Sequence, residues 1–238
     1  MALSGSTNYN VTAGDLVTAA YTEIGIPGVG QSLNSDDMAL GMRVLNYLVK
    51  NMAGPENSIY RGFKAWQRER GDITLVTTKN TFDIFSGGDL NTADVPVKIL
   101  GAVLENSDGI RMVMREMLEP EYMALPSHAQ TGKPTRYYQL RQTDRMRLHL
   151  DFRPNDATDV IEISYLRPLD DLDSTANDLD FPQHWYRPLK YLLAIDLSPP
   201  NGMEASQTLV ALAAGAIENA VSFYLDESDI YFEPGKDQ

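Results

Sequence analysis

The side chains best suited to proton transfer near neutral pH are His128, His149 and His184, and their spacing supports no shared site. A zinc-protease helix needs the HExxH pattern, which is absent, and the three histidines share no other metal-ligand spacing. His149 and Asp151 stand two apart in an alternating segment, so both fall on one strand face, where an acid/base pair would sit. A solvated strand face gives the same spacing, and that is the reading taken. No serine lies in a GxSxG elbow. With Cys 0, the chain has no thiolate nucleophile, disulfide or Cys-ligated zinc.

Two further segments resemble ligand loops and fail on their own terms. Gly28-Val29-Gly30 has the start of a phosphate-binding turn, but the third glycine is missing and the preceding segment is helical rather than extended. It is expected to be a helix–helix turn. Asp171-Leu172-Asp173-Ser174-Thr175 opens like a calcium loop, with oxygen donors at alternate positions. Ala176 then occupies the turn-glycine position and Pro182 the place of the closing glutamate, so a solvated acidic linker is expected. Asp151 and Glu162 remain as scattered carboxylates that would suit a polymer hydrolase only at a separation of ~5–10 Å. No catalytic, cofactor-binding or metal-binding residue is assigned, and the chain is not expected to be an enzyme.

The elements that would position these groups follow from hydrophobic spacing. A first helix is capped by Thr12 with Asp15 three residues on, and Leu16, Ala19, Ala20 and Ile24 form its apolar face. A second begins at Ser35, with Asp36 and Asp37 at the positive end of its dipole and Met38, Met42, Leu45, Val49 and Met52 as a stripe. After Pro182, Trp185, Leu189, Leu192 and Leu193 mark a third long helix, with Pro188 near its start as a possible kink site. A last helix from about Glu204 to Tyr224 places Leu209, Leu212, Ala216, Ala220 and Phe223 at near-heptad spacing, facing its neighbours. Between these halves the period becomes two. Strands are predicted at 73–76, 81–84, 98–105, 110–113, 136–142, 145–152 and 160–166, the first two forming a hairpin through Thr78-Lys79-Asn80. A short helix is predicted near Glu119.

The C-terminal residues are unusual in their composition. Ile230-Tyr231-Phe232 are three large apolar residues in a row beyond the last helix, among acidic neighbours and before Glu233-Pro234-Gly235-Lys236. Exposing them promotes aggregation, so they require cover. Two readings stay open: they fold back on their own domain, or they form an arm that docks into a neighbouring subunit or partner.

The 238 residues include 43% hydrophobic and 22% charged, a composition able to bury a core. Lys+Arg 20 against Asp+Glu 33 gives a net charge of −13, which disfavours a dedicated nucleic-acid binder but not a protein that surrounds DNA without gripping it. The N-terminus lacks a basic region followed by an apolar one, so no signal or transit peptide is expected. The longest strongly apolar stretch, Leu209 to Ile217, is too short to span a bilayer, and no membrane association is expected.

Taken in order, these features resemble the head-to-tail adaptors of short-tailed bacteriophages, the tail accessory or tail tubular group. The matching segments are DLVTAAYTEIGIPGVGQSLNSDD, LNYLVKNMAG, Trp66, ITLVTTKNTFDI, EMLEPEYMALPS, GKPTRYYQL, RLHLDFRP, DFPQHWYRPLKYLLAIDL, the alanine-bearing last helix and the aromatic tail. Together they cover nearly the whole chain; Ser86 to Pro96 and Ser127 to Gly132 carry no family match. The resemblance implies an α+β protein. It would have an antiparallel helical bundle from the N- and C-terminal helices (1–66 and 181–227), an inserted antiparallel β domain (67–180) and an extended C-terminal arm (228–238). It implies a homo-oligomeric ring, a dodecamer, at the head–tail interface of the virion and assembled in the host cytoplasm. Its partners would be the portal protein and tail nozzle or tailspike proteins, with genome DNA passing through the lumen without specific binding. Carried over by position, Ile230, Tyr231, Phe232, Glu233, Pro234 and Lys236 would bind the portal. The rival readings are a tail-associated polymer hydrolase and a monomeric binding domain.

Overall fold

The computed structural model describes residues 9–28, 31–54 and 67–223. They form the helices α1 (Ala13–Glu23), α2 (Ser35–Met52), α3 (Glu119–Met123), α4 (Tyr186–Leu197) and α5 (Gln207–Ser222). The strands are β1 (Arg68–Thr74), β2 (Thr81–Phe85), β3 (Leu90–Asn91), β4 (Lys98–Glu105), β5 (Arg111–Glu116), β6 (Thr131–Gly132), β7 (Arg136–Arg141), β8 (Met146–Leu150), β9 (Arg153–Pro154) and β10 (Val160–Leu166). They belong to two compact units. One comprises Gln67–Asp170, and the other is drawn from the chain on either side of it.

The expected architecture, an antiparallel helical bundle carrying an inserted antiparallel β domain, is corrected by the sheet. Eight strands form one sheet in the order β1-β10-β4-β5-β7-β8-β2-β3, and the described residues are mixed α/β, with five short α-helices as well as this large sheet. The sheet is nearly closed: a Cβ added to Gly71 of β1 would lie 2.8 Å from Leu90 Cδ2 on β3, so the two end strands approach each other. Nor is it purely antiparallel, because β5 pairs with β7 and β2 with β3 in parallel, as β6 does with β9 in a separate two-stranded sheet. The predicted 73–84 hairpin is also absent. β1 pairs with β10 and β2 with β8, because alternation fixes which face of a strand is buried but not which strand lies beside it. Inside, Ile73, Phe82, Ile84, Leu104, Leu148, Leu150, Ile161 and Ile163 are fully buried in one core.

In the helical unit, α1 starts with the capping box read from sequence: Asp15 N–H donates to Thr12 Oγ1 at 3.2 Å and Thr12 N–H to Asp15 Oδ2 at 3.3 Å. The α2 cap is Asn34, whose Oδ1 accepts from Asp37 N–H at 2.7 Å. Helix α4 is buried on most sides through Leu189, Tyr191, Leu193, Ala194 and Leu197, which is why its amphipathic signal is broad. Pro188 sits in its first turn, where a missing N–H leaves no bond unmade. The acidic linker is not simply solvated. Ala13 N–H donates to Asn177 O and Gly14 N–H to Thr175 O, each at 2.9 Å, so the 171–180 segment supplies acceptors to the first turn of α1. Leu172 and Leu179 bury their side chains.

Candidate functional site

The residues assigned to portal binding, Ile230, Tyr231, Phe232, Glu233, Pro234 and Lys236, lie outside the described residues, as does Trp66. The remaining candidates fall into separate networks. Asp151 is buried and accepts from Thr135 N–H at 3.1 Å, Thr135 Oγ1 at 2.9 Å, Arg136 Nε at 3.3 Å and Phe152 N–H at 3.1 Å. Its acceptor capacity is occupied in tying β7 to the end of β8. His149 has different partners, the hydroxyls of Thr81 and Tyr122, so the structure does not unite it with Asp151. Glu162 projects from the outer face of β10, where Arg70 approaches at 3.5 Å and Arg111 closer still. Arg70 and Glu162 border an open groove of about 510 Å³ lined also by Asp72, Glu105 and Asn106. His184 stacks on Phe223 at 4.9 Å, and burial holds its pKa below the usual imidazole range. Among the described residues, no group of three or more His, Asp or Glu side chains could hold a metal, and no helix is long and apolar enough to cross a membrane.

One exposed apolar surface lies on α5. The chain leaves α4 through a 3-10 turn, Pro199–Asn201, and reverses at Gly202, whose φ of 71° suits a residue without Cβ. Ser206 then caps α5 by accepting from Leu209 N–H at 3.2 Å. Leu209, Ala213, Ala216 and Ala220, spaced by four, three and four, are buried. Val210, Ala214, Ile217 and Val221 repeat that spacing one residue later and form a second stripe; Val210 is 48% exposed, Ala214 is exposed, and the other two are half-buried. Glu218 is the sole charged side chain on the helix. Apolar residues thus wrap more of α5 than the four buried positions account for. Leu212 and Phe223, expected on the packed face, are 38% and 72% exposed. The heptad reading failed because alanine at 213 carries the contact, and a small apolar residue gives a weak signal.

A second cluster, missed in the sequence, lies on the outer face of β2, β7 and β8. Tyr138 and His149 are directly opposite one another across β7 and β8, with ring centroids 5.7 Å apart. Tyr122, delivered by α3, stacks on Tyr138 at 5.2 Å and meets His149 at 5.0 Å and His128 at 4.7 Å. Burial raises the pKa of both tyrosines. Burial first, then Arg147 and His128 against the opposing pull of Asp83, holds His149 below the usual imidazole range. Alternation in β7 and β8 could have paired Tyr138 with His149, whereas nothing in the sequence places α3 over them.

A scan against protein-family models finds no match, and no curated protein matches the chain.

Proposed function

We propose that this chain is a non-enzymatic structural subunit of a short-tailed phage virion. It forms a dodecameric ring adaptor between the portal and the tail nozzle or tailspikes and extends the channel through which DNA leaves. The observation that carries the reading is the second apolar stripe of α5, Val210, Ala214, Ile217 and Val221, with one charge on the whole helix. A subunit that works alone gains nothing from such a face, whereas one that packs against another helix does. The resemblance of the ordered sequence features to those of the adaptor family supports this choice of assembly. The net charge of −13 suits a channel wall, since each tight phosphate contact would retard the moving duplex. Ile230, Tyr231 and Phe232 are assigned the docking role, with Glu233, Pro234 and Lys236 beside them.

The test is the mass of the chain in solution, alone and mixed with its cognate portal, by light scattering after size exclusion. Full-length protein and a version ending at Glu227 are compared. A large complex with portal that needs residues 228–238 is the expected result. A chain that stays monomeric with its portal overturns the adaptor reading and favours a monomeric binding domain.

A further inference from the structure

The connection from β5 to β7 joins parallel neighbours, so it must cross over the sheet unit rather than turn back as a hairpin. Few contacts hold it. From Met123 to Thr131 only Leu125 is even half-buried, and Met123 is 71% exposed. Its far end is held by β6 pairing with β9 and by Arg153 N–H donating to Gln130 O at 2.9 Å. Its near part is attached by rings, Tyr122 against Tyr138 and His149 and His128 against Tyr122, with Asn80 Nδ2 donating to His128 O at 2.9 Å. Glu121 adds an exposed ion pair to Arg115 at 2.5 Å.

The centre of this attachment is a titratable ring. His149 Nδ1 lies 3.1 Å from Thr81 Oγ1 and 3.3 Å from Tyr122 Oη, so the neutral imidazole with its proton on Nε2 can accept from either hydroxyl. Protonation turns Nδ1 into a donor, and the Tyr122 hydroxyl that tied the crossover to the sheet must reorient. It also places a charge in a half-buried position. The surrounding groups are Thr81 and Asp83 from β2, Arg147 from β8, Tyr138 from β7, and Tyr122 and His128 from the crossover, with Glu119 acting on Tyr138. Asp83 is the carboxylate that would welcome the charge, but it already accepts from Arg147 Nε at 2.9 Å and Arg145 Nη1 at 3.2 Å. Glu121 is likewise engaged with Arg115.

We propose that the Tyr122, His128, Tyr138 and His149 rings form an acid-opened latch on the β5–β7 crossover, closed while His149 is neutral and released when it binds a proton. The lowered pKa of His149 sets the direction. An opened crossover exposes the ring to water and restores ordinary basicity, so the closed form loses stability as pH falls below the usual imidazole range towards the lowered value. The latch stands independently of the adaptor reading.

The test uses the full chain and proteinase K at about pH 7.5 and about pH 5, on either side of the ordinary imidazole pKa, with cleavage sites identified by mass spectrometry and rates normalised to an unstructured peptide. Wild type is expected to be cut between Met123 and Thr131 several-fold faster at the lower pH. His149→Phe, which keeps a ring in the stack and cannot be charged, is expected to be cut slowly at both. Tyr122→Ala is expected to be cut rapidly at both. Equal wild-type rates at the two pH values, or the same acid increase in His149→Phe, overturn the latch. Should His149→Phe fail to fold, NMR on wild type decides. The Tyr122 and Tyr138 ring signals must move with the titration of His149, and if they do not, the latch is wrong.

Discussion

Asn46 of α2 and Leu172 exchange two hydrogen bonds: Asn46 Nδ2 donates to Leu172 O at 3.0 Å, and Leu172 N–H donates to Asn46 Oδ1 at 3.0 Å. A side-chain amide here plays the part of a neighbouring strand. It pairs both backbone groups of a residue whose own side chain is buried. The same Nδ2 also reaches Met42 O at 3.0 Å, which fixes the amide orientation within its helix.

Asn46→Ala therefore removes the partner of a donor and an acceptor at once. The expected loss is about 2 kcal/mol of unfolding free energy, within the range for stranded backbone groups. Asn46→Asp is expected to lose nearly as much, since a carboxylate still accepts from Leu172 N–H but repels Leu172 O. Urea unfolding of the two variants checks this, and an Asn46→Ala midpoint equal to wild type would show that water replaces the amide without cost.

Two helix glycines predict opposite signs for one substitution. Gly41 of α2 is buried where a methyl would collide with Val17 of α1 and lie 3.1 Å from Tyr21 Cε2. Gly215 of α5 is exposed with open space where its Cβ would be. Alanine gains ~1 kcal/mol over glycine in a helix interior. At position 41 the collision outweighs that gain, because overpacking costs ~1–3 kcal/mol and both neighbours belong to the core. Gly215→Ala should raise the denaturation midpoint and Gly41→Ala lower it. A raised midpoint at both positions would mean that α1 and α2 can move apart cheaply, and a lowered one at both would contradict the propensity gain at Gly215.

Helix starts, capping and the burial of alternate strand residues were legible in the sequence because each depends on neighbours along the chain. Thr12 with Asp15 and the alternation of Met146, Leu148 and Leu150 are examples. Partner choice was not legible. The 73–84 segment alternates as a hairpin would, yet β1 lies beside β10 and β2 beside β8. The acidic 171–180 segment looked solvated because its charges dominate its composition. Its contribution comes from backbone carbonyls at Thr175 and Asn177 and from Leu172 and Leu179, which carry no charge signature. Of the candidate groups, Asp151 and His149 share a strand pattern but not a partner. The strand β8 ends at Leu150, so strict alternation does not extend to Asp151.

Alkaline pH should weaken the sheet unit through two buried tyrosines. Tyr165 donates to Glu69 Oε2 at 3.0 Å, and its hydroxyl is pushed up to about 12 by burial first and by Glu69 next. Tyr137 is pushed up to about 12 by burial and then by the Glu116 charge. A phenol in the unfolded chain ionises near 10, so the folded state holds these protons longer. The resulting stability is fully present below about pH 10 and is lost as pH rises through the folded values. Urea midpoints between about pH 9 and pH 12 should fall less steeply in Tyr137→Phe and Tyr165→Phe than in wild type, with a lower starting point for Tyr165→Phe because its bond to Glu69 is gone. Parallel slopes would contradict the raised values.

Adjacent positions on α5 separate packing from association. Leu209 is 5% exposed and Val210 is 48% exposed, so the same aspartate enters the core at one and solvent at the other. Leu209→Asp buries a charge without a partner and should unfold the helical unit, a loss of several kcal/mol. Val210→Asp stands near the start of α5, where a negative charge favours the helix dipole, and should alter stability by no more than about 0.5 kcal/mol. Leu212→Asp, at 38% exposure, should fall between them rather than unfold the protein as the heptad spacing implies. Thermal melts rank the three, and light scattering then reads association in the folded ones. If Val210→Asp folds and association is lost, the second stripe of α5 is the contact between subunits. If Val210→Asp folds and still assembles, the stripe is not that contact and the adaptor reading loses the observation that carries it.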